Sequence, residues 1–178
     1  MGYAVELFYD DEAEQAVREI WDGLGAALGQ PSLSALGARP HVSLAVYNDD
    51  LDTAGFTERL REFAQSIDPF DFCLRSLSAF TRQEGVVFLA PVVTRHLLTV
   101  QERFHEAFAQ NKDSVVAHYQ PGNWIPHCTV AIDLVPADIQ KAVGFNREAF
   151  KPISGRFQEI GLIEFRPVKE LFTCKLGY

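Results

Sequence analysis

Polar and apolar residues follow two periods along this chain, and the switches between them mark its elements. Residues Tyr3–Tyr9 are short, β-rich and mostly apolar, which predicts a strand. Asp10-Asp11 follows and supplies a helix N-cap. From there Ala13, Ala16, Val17, Ile20, Trp21, Leu24 and Leu28 recur at helical spacing until Gly29-Gln30-Pro31 stops the run. Residues 31–40 read as a loop. Residues 41–47 alternate as a strand, and Asn48-Asp49-Asp50 turns the chain. A helix over roughly 52–66 has Phe56, Leu60, Phe63, Ala64 and Ile67 as its apolar side, and Phe70–Phe80 is the next strand.

The second half repeats this order. Arg82-Gln83-Glu84-Gly85 reads as a turn, and Val86–Val93 as a strand buried on both faces. Arg95–Gln110 carries Leu97, Leu98, Val100, Phe104, Ala107 and Phe108 at helical spacing. Residues 111–126 form a loop, residues 127–133 a strand, and Pro136 opens a helix to about Phe150. Strands over roughly 153–165 and 168–176 close the chain, with Arg166-Pro167 between them.

Strand, helix, strand, helix, strand thus occurs twice, with one extra strand at the end. The expected fold class is α+β: duplicated half-units forming two lobes, about 1–82 and 85–178, within a single domain spanning 1–178. Antiparallel sheets would surround a central cleft between the lobes, with helices outside. Half-units related by a pseudo-twofold axis would bring their middle strands near each other.

Those middle strands carry the strongest local signal. Pro40-His41-Val42-Ser43-Leu44-Ala45-Val46 and Pro126-His127-Cys128-Thr129-Val130-Ala131-Ile132 both read Pro-His-x-hydroxyl-apolar-Ala-apolar, and their histidines are 86 positions apart (41 to 127). In a strand, residues i and i+2 share a face. His41 and Ser43 then project together, roughly 6–7 Å apart, as do His127 and Thr129. Apolar residues at 42, 44 and 46, and at 128, 130 and 132, would pack the opposite face. Two such frames from only five histidines exceed what chance supplies. The alternative is a pair of core strands that merely begin with His.

Composition narrows the partners. In 178 residues the hydrophobic share is 47%, enough for a real core, and the formal net charge is −8. A pI near 5.1 argues against electrostatic binding of long nucleic acid, so no long duplex is expected as a partner, but it does not exclude a nucleotide or a strand end in a local pocket. Cys73, Cys128 and Cys174 make no metal-ligand spacing and fit a reducing, cytoplasmic setting. No signal peptide or membrane-length apolar run is present, so no membrane partner is expected. A monomer is the expectation.

Two imidazoles and two hydroxyls facing across a cleft suit phosphoester chemistry without a metal or cofactor. A neutral His takes a proton from water or a sugar hydroxyl, and a protonated one donates to the leaving oxygen. Hydroxyls donate to the non-bridging oxygens as charge builds. The sequence has no G-x-S-x-G, P-loop, dinucleotide fingerprint or HExxH pattern. Asp10-Asp11 and Asp49-Asp50 are read as solvated caps, and His96, His105 and His118 as structural or surface residues.

His41-Val42-Ser43-Leu44 and His127-Cys128-Thr129-Val130 resemble the paired signature of the two-histidine (2H) phosphoesterase superfamily, and within it the bacterial 2'-5' RNA ligase-like proteins. The frames Arg39-Pro40-His41 and Tyr119-x-Pro-Gly-x-Trp124-x-Pro-His127 strengthen the likeness, which covers essentially the whole chain because the duplicated order of elements is also the family's. The resemblance implies a bilobal fold with His41, Ser43, His127 and Thr129 as catalytic residues. It implies a role in RNA processing, with metal-independent opening of 2',3'-cyclic phosphates, hydrolysis of related nucleotide phosphodiesters, or reversible 2'-5' joining of RNA ends. A nucleotide-binding regulatory module that keeps the pocket without turnover is the alternative. Trp124 and Tyr119 either stack on a base or pin the loop. Arg39 either approaches a phosphate or is solvated.

Overall fold

The computed structural model describes residues 2–48, 51–80, 85–165 and 167–178, the side chains of 146–149 excepted. The predicted turns at Asp49-Asp50, Arg82-Gln83-Glu84 and Arg166 lie outside the described residues. The chain runs β1 (Gly2–Tyr9), α1 (Asp11–Leu28), β2 (His41–Tyr47), α2 (Thr53–Gln65), β3 (Phe70–Phe80), β4 (Val86–Pro91), α3 (Arg95–Ala107), β5 (Cys128–Ala131), α4 (Pro136–Ala149), β6 (Ile153–Phe165) and β7 (Lys169–Lys175). This α+β order is the predicted duplication.

Local chemistry accounts for the helix ends. Asp10 caps α1 by accepting from the Ala13 N–H at 2.9 Å, and Gly29 ends it in the left-handed region at φ 67°. Asp52 caps α2 and Thr94 caps α3 in the same way. Three expectations shorten. The strand at 86 ends at Pro91, beyond which Val92 and Val93 are exposed. The helix at 95 ends at Ala107 and continues as a 3-10 turn over Ala109–Ser114. The second His strand begins at Cys128, one residue after the histidine, and ends at Ala131.

All pairings are antiparallel, in the order β2-β1-β6-β3-β4-β5, with β7 on β6. Exchanging β1 with β4, β2 with β5 and β3 with β6 returns the same order reversed. The pseudo-twofold therefore passes between β3 and β6. Each half lends its third strand to the first strand of the other, β6 to β1 and β3 to β4. Helices follow the same rule: α1 packs on α4, while Phe56 and Phe63 of α2 meet Phe104 of α3 and the adjoining Phe108. One buried core, including Val5, Leu7, Trp21, Leu44, Leu89, Phe104 and Phe157, runs through both halves. Among the described residues no helix is long and apolar enough to cross a membrane.

Candidate active site

Each His strand carries a β-bulge at the same place. Glu6 faces Ser43 and Val5 faces Ala45, so Leu44 is the extra residue of β2. Phe88 faces Thr129 and Val87 faces Ala131, so Val130 is the extra residue of β5. A bulge shifts the side-chain alternation beyond it. Leu44, Ala45, Val130 and Ala131 are all in the core, while Val46 and Ile132 turn to the cavity described below. Simple alternation placed residues 46 and 132 on the core face, and the bulges correct that. Val42 and Cys128 are core residues as read from the pattern. Burial pushes the Cys128 thiol up to about 11, so it is no thiolate nucleophile near neutrality.

Bulges free backbone groups from the ladder, and buried carbonyls need donors. The chain has two tryptophans, and both are used here. Trp124 Nε1–H donates to the Ser43 carbonyl at 3.0 Å, and Trp21 Nε1–H to the Thr129 carbonyl at 2.9 Å. His105 Nε2 lies 3.3 Å from the bulged Leu44 carbonyl. Trp124 is therefore a buried anchor of the first hydroxyl strand, and the residue is only 9% exposed; base stacking by Trp124 does not fit that burial.

The two imidazoles are held alike. Nδ1 of His41 lies 2.6 Å from the Arg39 carbonyl, and Nδ1 of His127 lies 2.7 Å from the Ile125 carbonyl. A carbonyl accepts only, so Nδ1–H donates and Nε2 is the nitrogen available for chemistry. His41, Ser43 and Thr129 line one cavity of about 250 Å³, together with Glu6, Phe8 and Arg39. His127 does not line that cavity. It is near enough that charge on it opposes charge on His41.

The surroundings of the two rings differ. His41 Nε2 is 3.2 Å from Glu6 Oε1, and the Glu6 side chain is 4% exposed. Burial raises the Glu6 carboxyl well above its ordinary range, with the Arg39 charge opposing and Glu170 adding to the rise. Burial also lowers His41 to about 4, against the Arg39 carbonyl bond, which favours the cation. His127 instead sits among rings, with centroids 5.2 Å from Phe80, 5.3 Å from Phe88 and 6.2 Å from Tyr119. Burial lowers its pKa too.

Arg39 lines the cavity, but its guanidinium is engaged. It meets Glu14 at 3.0 Å, Glu159 at 3.1 Å and Glu170 at 3.8 Å, and lies over the Phe8 ring at 4.3 Å. The structure thus gives it an ion-pair network in place of a solvated loop position. Tyr119 stands beside His127. Elsewhere, His96 packs edge-on against Phe70 at 4.7 Å, away from these residues. Among the described residues no group of three or more His, Cys, Asp or Glu side chains is placed to hold a metal ion.

Pattern reading missed Glu6 and Trp21. The signal for Glu6 was present: a single carboxylate inside the apolar run Val5-Glu6-Leu7-Phe8, in phase with Ala4 and Phe8. Trp21 was read as one more apolar helix position.

The profile of the 2'-5' RNA ligase superfamily matches residues 9–168. No curated protein matches the chain significantly by sequence. Among solved structures, TT0787 of Thermus thermophilus aligns with a TM-score of 0.61 at 15% identity, over 99% of this chain and 98% of that one. E. coli LigT complexed with 3'-AMP aligns with a TM-score of 0.59 at 17% identity, over 99% and 98%. The same protein complexed with NADP+ aligns at 0.58. At such identity these likenesses concern the fold.

Proposed function

Because the chain belongs to the 2'-5' RNA ligase superfamily, we propose that it is a metal-independent phosphodiesterase acting on 2',3'-cyclic or 2'-5'-linked nucleotides or RNA ends. The observation that carries this reading is the shared cavity. His41 and Ser43 from one motif and Thr129 from the other line it, and both histidines have Nδ1 tied to a backbone carbonyl. One Nε2 takes a proton from water or a 2'-hydroxyl, and the other donates to the leaving oxygen. Ser43 and Thr129 donate to the non-bridging oxygens. LigT has been crystallised with 3'-AMP and with phosphate, ligands of the kind such a site would hold.

In this reading residues 1–178 act as one domain, because the halves 1–82 and 85–178 exchange their third strands, β3 and β6. The protein is a cytoplasmic monomer, and ligation of RNA ends is the same displacement run in reverse. Tyr119, whose ring lies beside His127, would stack on a base. The test is a panel of 2',3'-cyclic nucleotides and 2'-5' dinucleotides, assayed with and without EDTA. Turnover that survives the chelator supports the proposal. Tight nucleotide binding with no product over hours supports a regulatory module instead, and neither binding nor turnover removes both.

A further inference from the structure

The pseudo-twofold sets one position against another. Glu6 pairs with Ser43 beside the first bulge, and Phe88 pairs with Thr129 beside the second. The same site in the two halves thus holds a carboxyl in one and a phenyl ring in the other. Both side chains are buried, at 3% residue exposure each. Only the carboxyl can hold a proton.

The bonding around His41 requires that proton. Its Nδ1–H is given to the Arg39 carbonyl, so the neutral ring has only a lone pair at Nε2. An ionised Glu6 oxygen 3.2 Å from that lone pair would set two acceptors in contact in a buried place. One proton on either group removes the conflict. The charged or titratable groups nearby are Arg39 from the approach to β2, Glu170 on β7, His127 ahead of β5, Tyr9 on β1 and Cys128 on β5. Ser43 and Thr129 are the neutral polar neighbours in the cavity. Arg39 is itself balanced by Glu14, Glu159 and Glu170.

We propose that Glu6 is a positioning residue that holds one proton jointly with His41, so that His41 enters the reaction as the acid and His127 as the base. This rests on the reaction proposed above. Nε2 of His127 takes a proton from water as the water oxygen bonds to phosphorus. The bond from phosphorus to the 2' or 3' oxygen breaks, and that oxygen takes the single proton lying between His41 Nε2 and Glu6 Oε1, which Glu6 holds in place there. The turnover leaves a phosphomonoester, a Glu6 carboxylate and a His127 imidazolium, and solvent returns the proton from His127 to Glu6. Phe88 gives His127 no such partner, which suits a ring that must start neutral.

The experiment compares wild type with Glu6→Gln, a variant of nearly the same shape that holds no titratable proton. The first measurement needs no substrate: unfolding equilibria between about pH 5 and pH 8 count protons bound on folding. Unfolded Glu6 is ionised across this range, so wild type should take up one more proton on folding than Glu6→Gln. Its folding constant should fall about tenfold more per pH unit as pH rises, until the folded carboxyl titrates. Equal slopes overturn the proposal.

The second measurement varies the leaving group. On a 2',3'-cyclic nucleotide Glu6→Gln should lose about 100-fold in kcat, the low end for general acid catalysis. On a p-nitrophenyl phosphodiester, whose phenolate leaves without a proton, the loss should be under about tenfold. His41→Ala should show the same contrast, whereas His127→Ala should lose both substrates alike. An equal loss on both esters in Glu6→Gln, or the reverse pattern for the histidines, overturns the assignment. If wild type turns over neither ester, the proposed reaction fails, and proton uptake alone decides whether Glu6 holds the proton.

Discussion

The two motif strands share a backbone and differ in what surrounds them. Both have a histidine bonded through Nδ1 to the carbonyl two residues earlier, and both have a bulge after the hydroxyl. Both hydroxyl residues have their carbonyl bonded to an indole N–H. Around His41 stand Glu6 and the Arg39 network, while around His127 stand Phe80, Phe88 and Tyr119. A duplicated unit thus keeps the geometry that aims a side chain and varies the neighbours that tune it. Two groups of one chemical type acquire different proton affinities only through such neighbours.

The largest effects should come from removing either imidazole. His41→Ala and His127→Ala should each lower kcat on a cyclic nucleotide by about 10²–10⁴ while far-UV spectra stay native. Full activity in either variant would end the comparison. The pH profile of kcat/KM sharpens it. A base must be neutral, and burial lowers His127, so activity should rise with pH through a limb below the ordinary histidine value of about 6.5. The falling limb reports loss of the proton held by His41 and Glu6. It should lie above the carboxylate range, because burial raises Glu6.

Next come the hydroxyls. Ser43→Ala and Thr129→Val should each cost about 10²–10³ in kcat, the scale of removing one donor to developing charge. A much smaller loss at one position would show that only one half binds the non-bridging oxygens. The indole anchors should act on stability. Trp124→Phe and Trp21→Phe each leave a buried carbonyl without its donor, at about 1–3 kcal/mol in urea unfolding. The smallest effect is expected from Cys128→Val, which copies Val42 of the first motif into the second. Stability should change by less than about 1.5 kcal/mol and kcat should hold, which would confirm the thiol as a core side chain.

Most of the fold was legible because it is written in short-range periodicity. The alternation in β2 and the helical spacing in α1 arise from neighbours within a few residues. Asp10 and Gly29 bound α1 by local bonding alone. The helix and strand ends that moved, at Ala107 and Pro91, are places where apolar residues run on past the last regular one: Phe108 is buried, and Val92 and Val93 are exposed. Trp124 and Arg39 were legible as residues near the motifs and illegible as to what they meet. The indole reaches a carbonyl 81 positions away, and the guanidinium reaches carboxylates on α1, β6 and β7.

Residue order alone settled the duplicated strand and helix succession, the two His-x-hydroxyl strands and their caps, since each depends on contacts local along the chain. The exchange of third strands, the paired bulges and the setting of Glu6 against His41 came from the assembled sheet. Register and charge depend on which strand lies alongside, and β1 meets β2 only after α1 has carried the chain back. A proton affinity belongs to a place in space, so the difference between the two histidines emerged only when the strands were side by side.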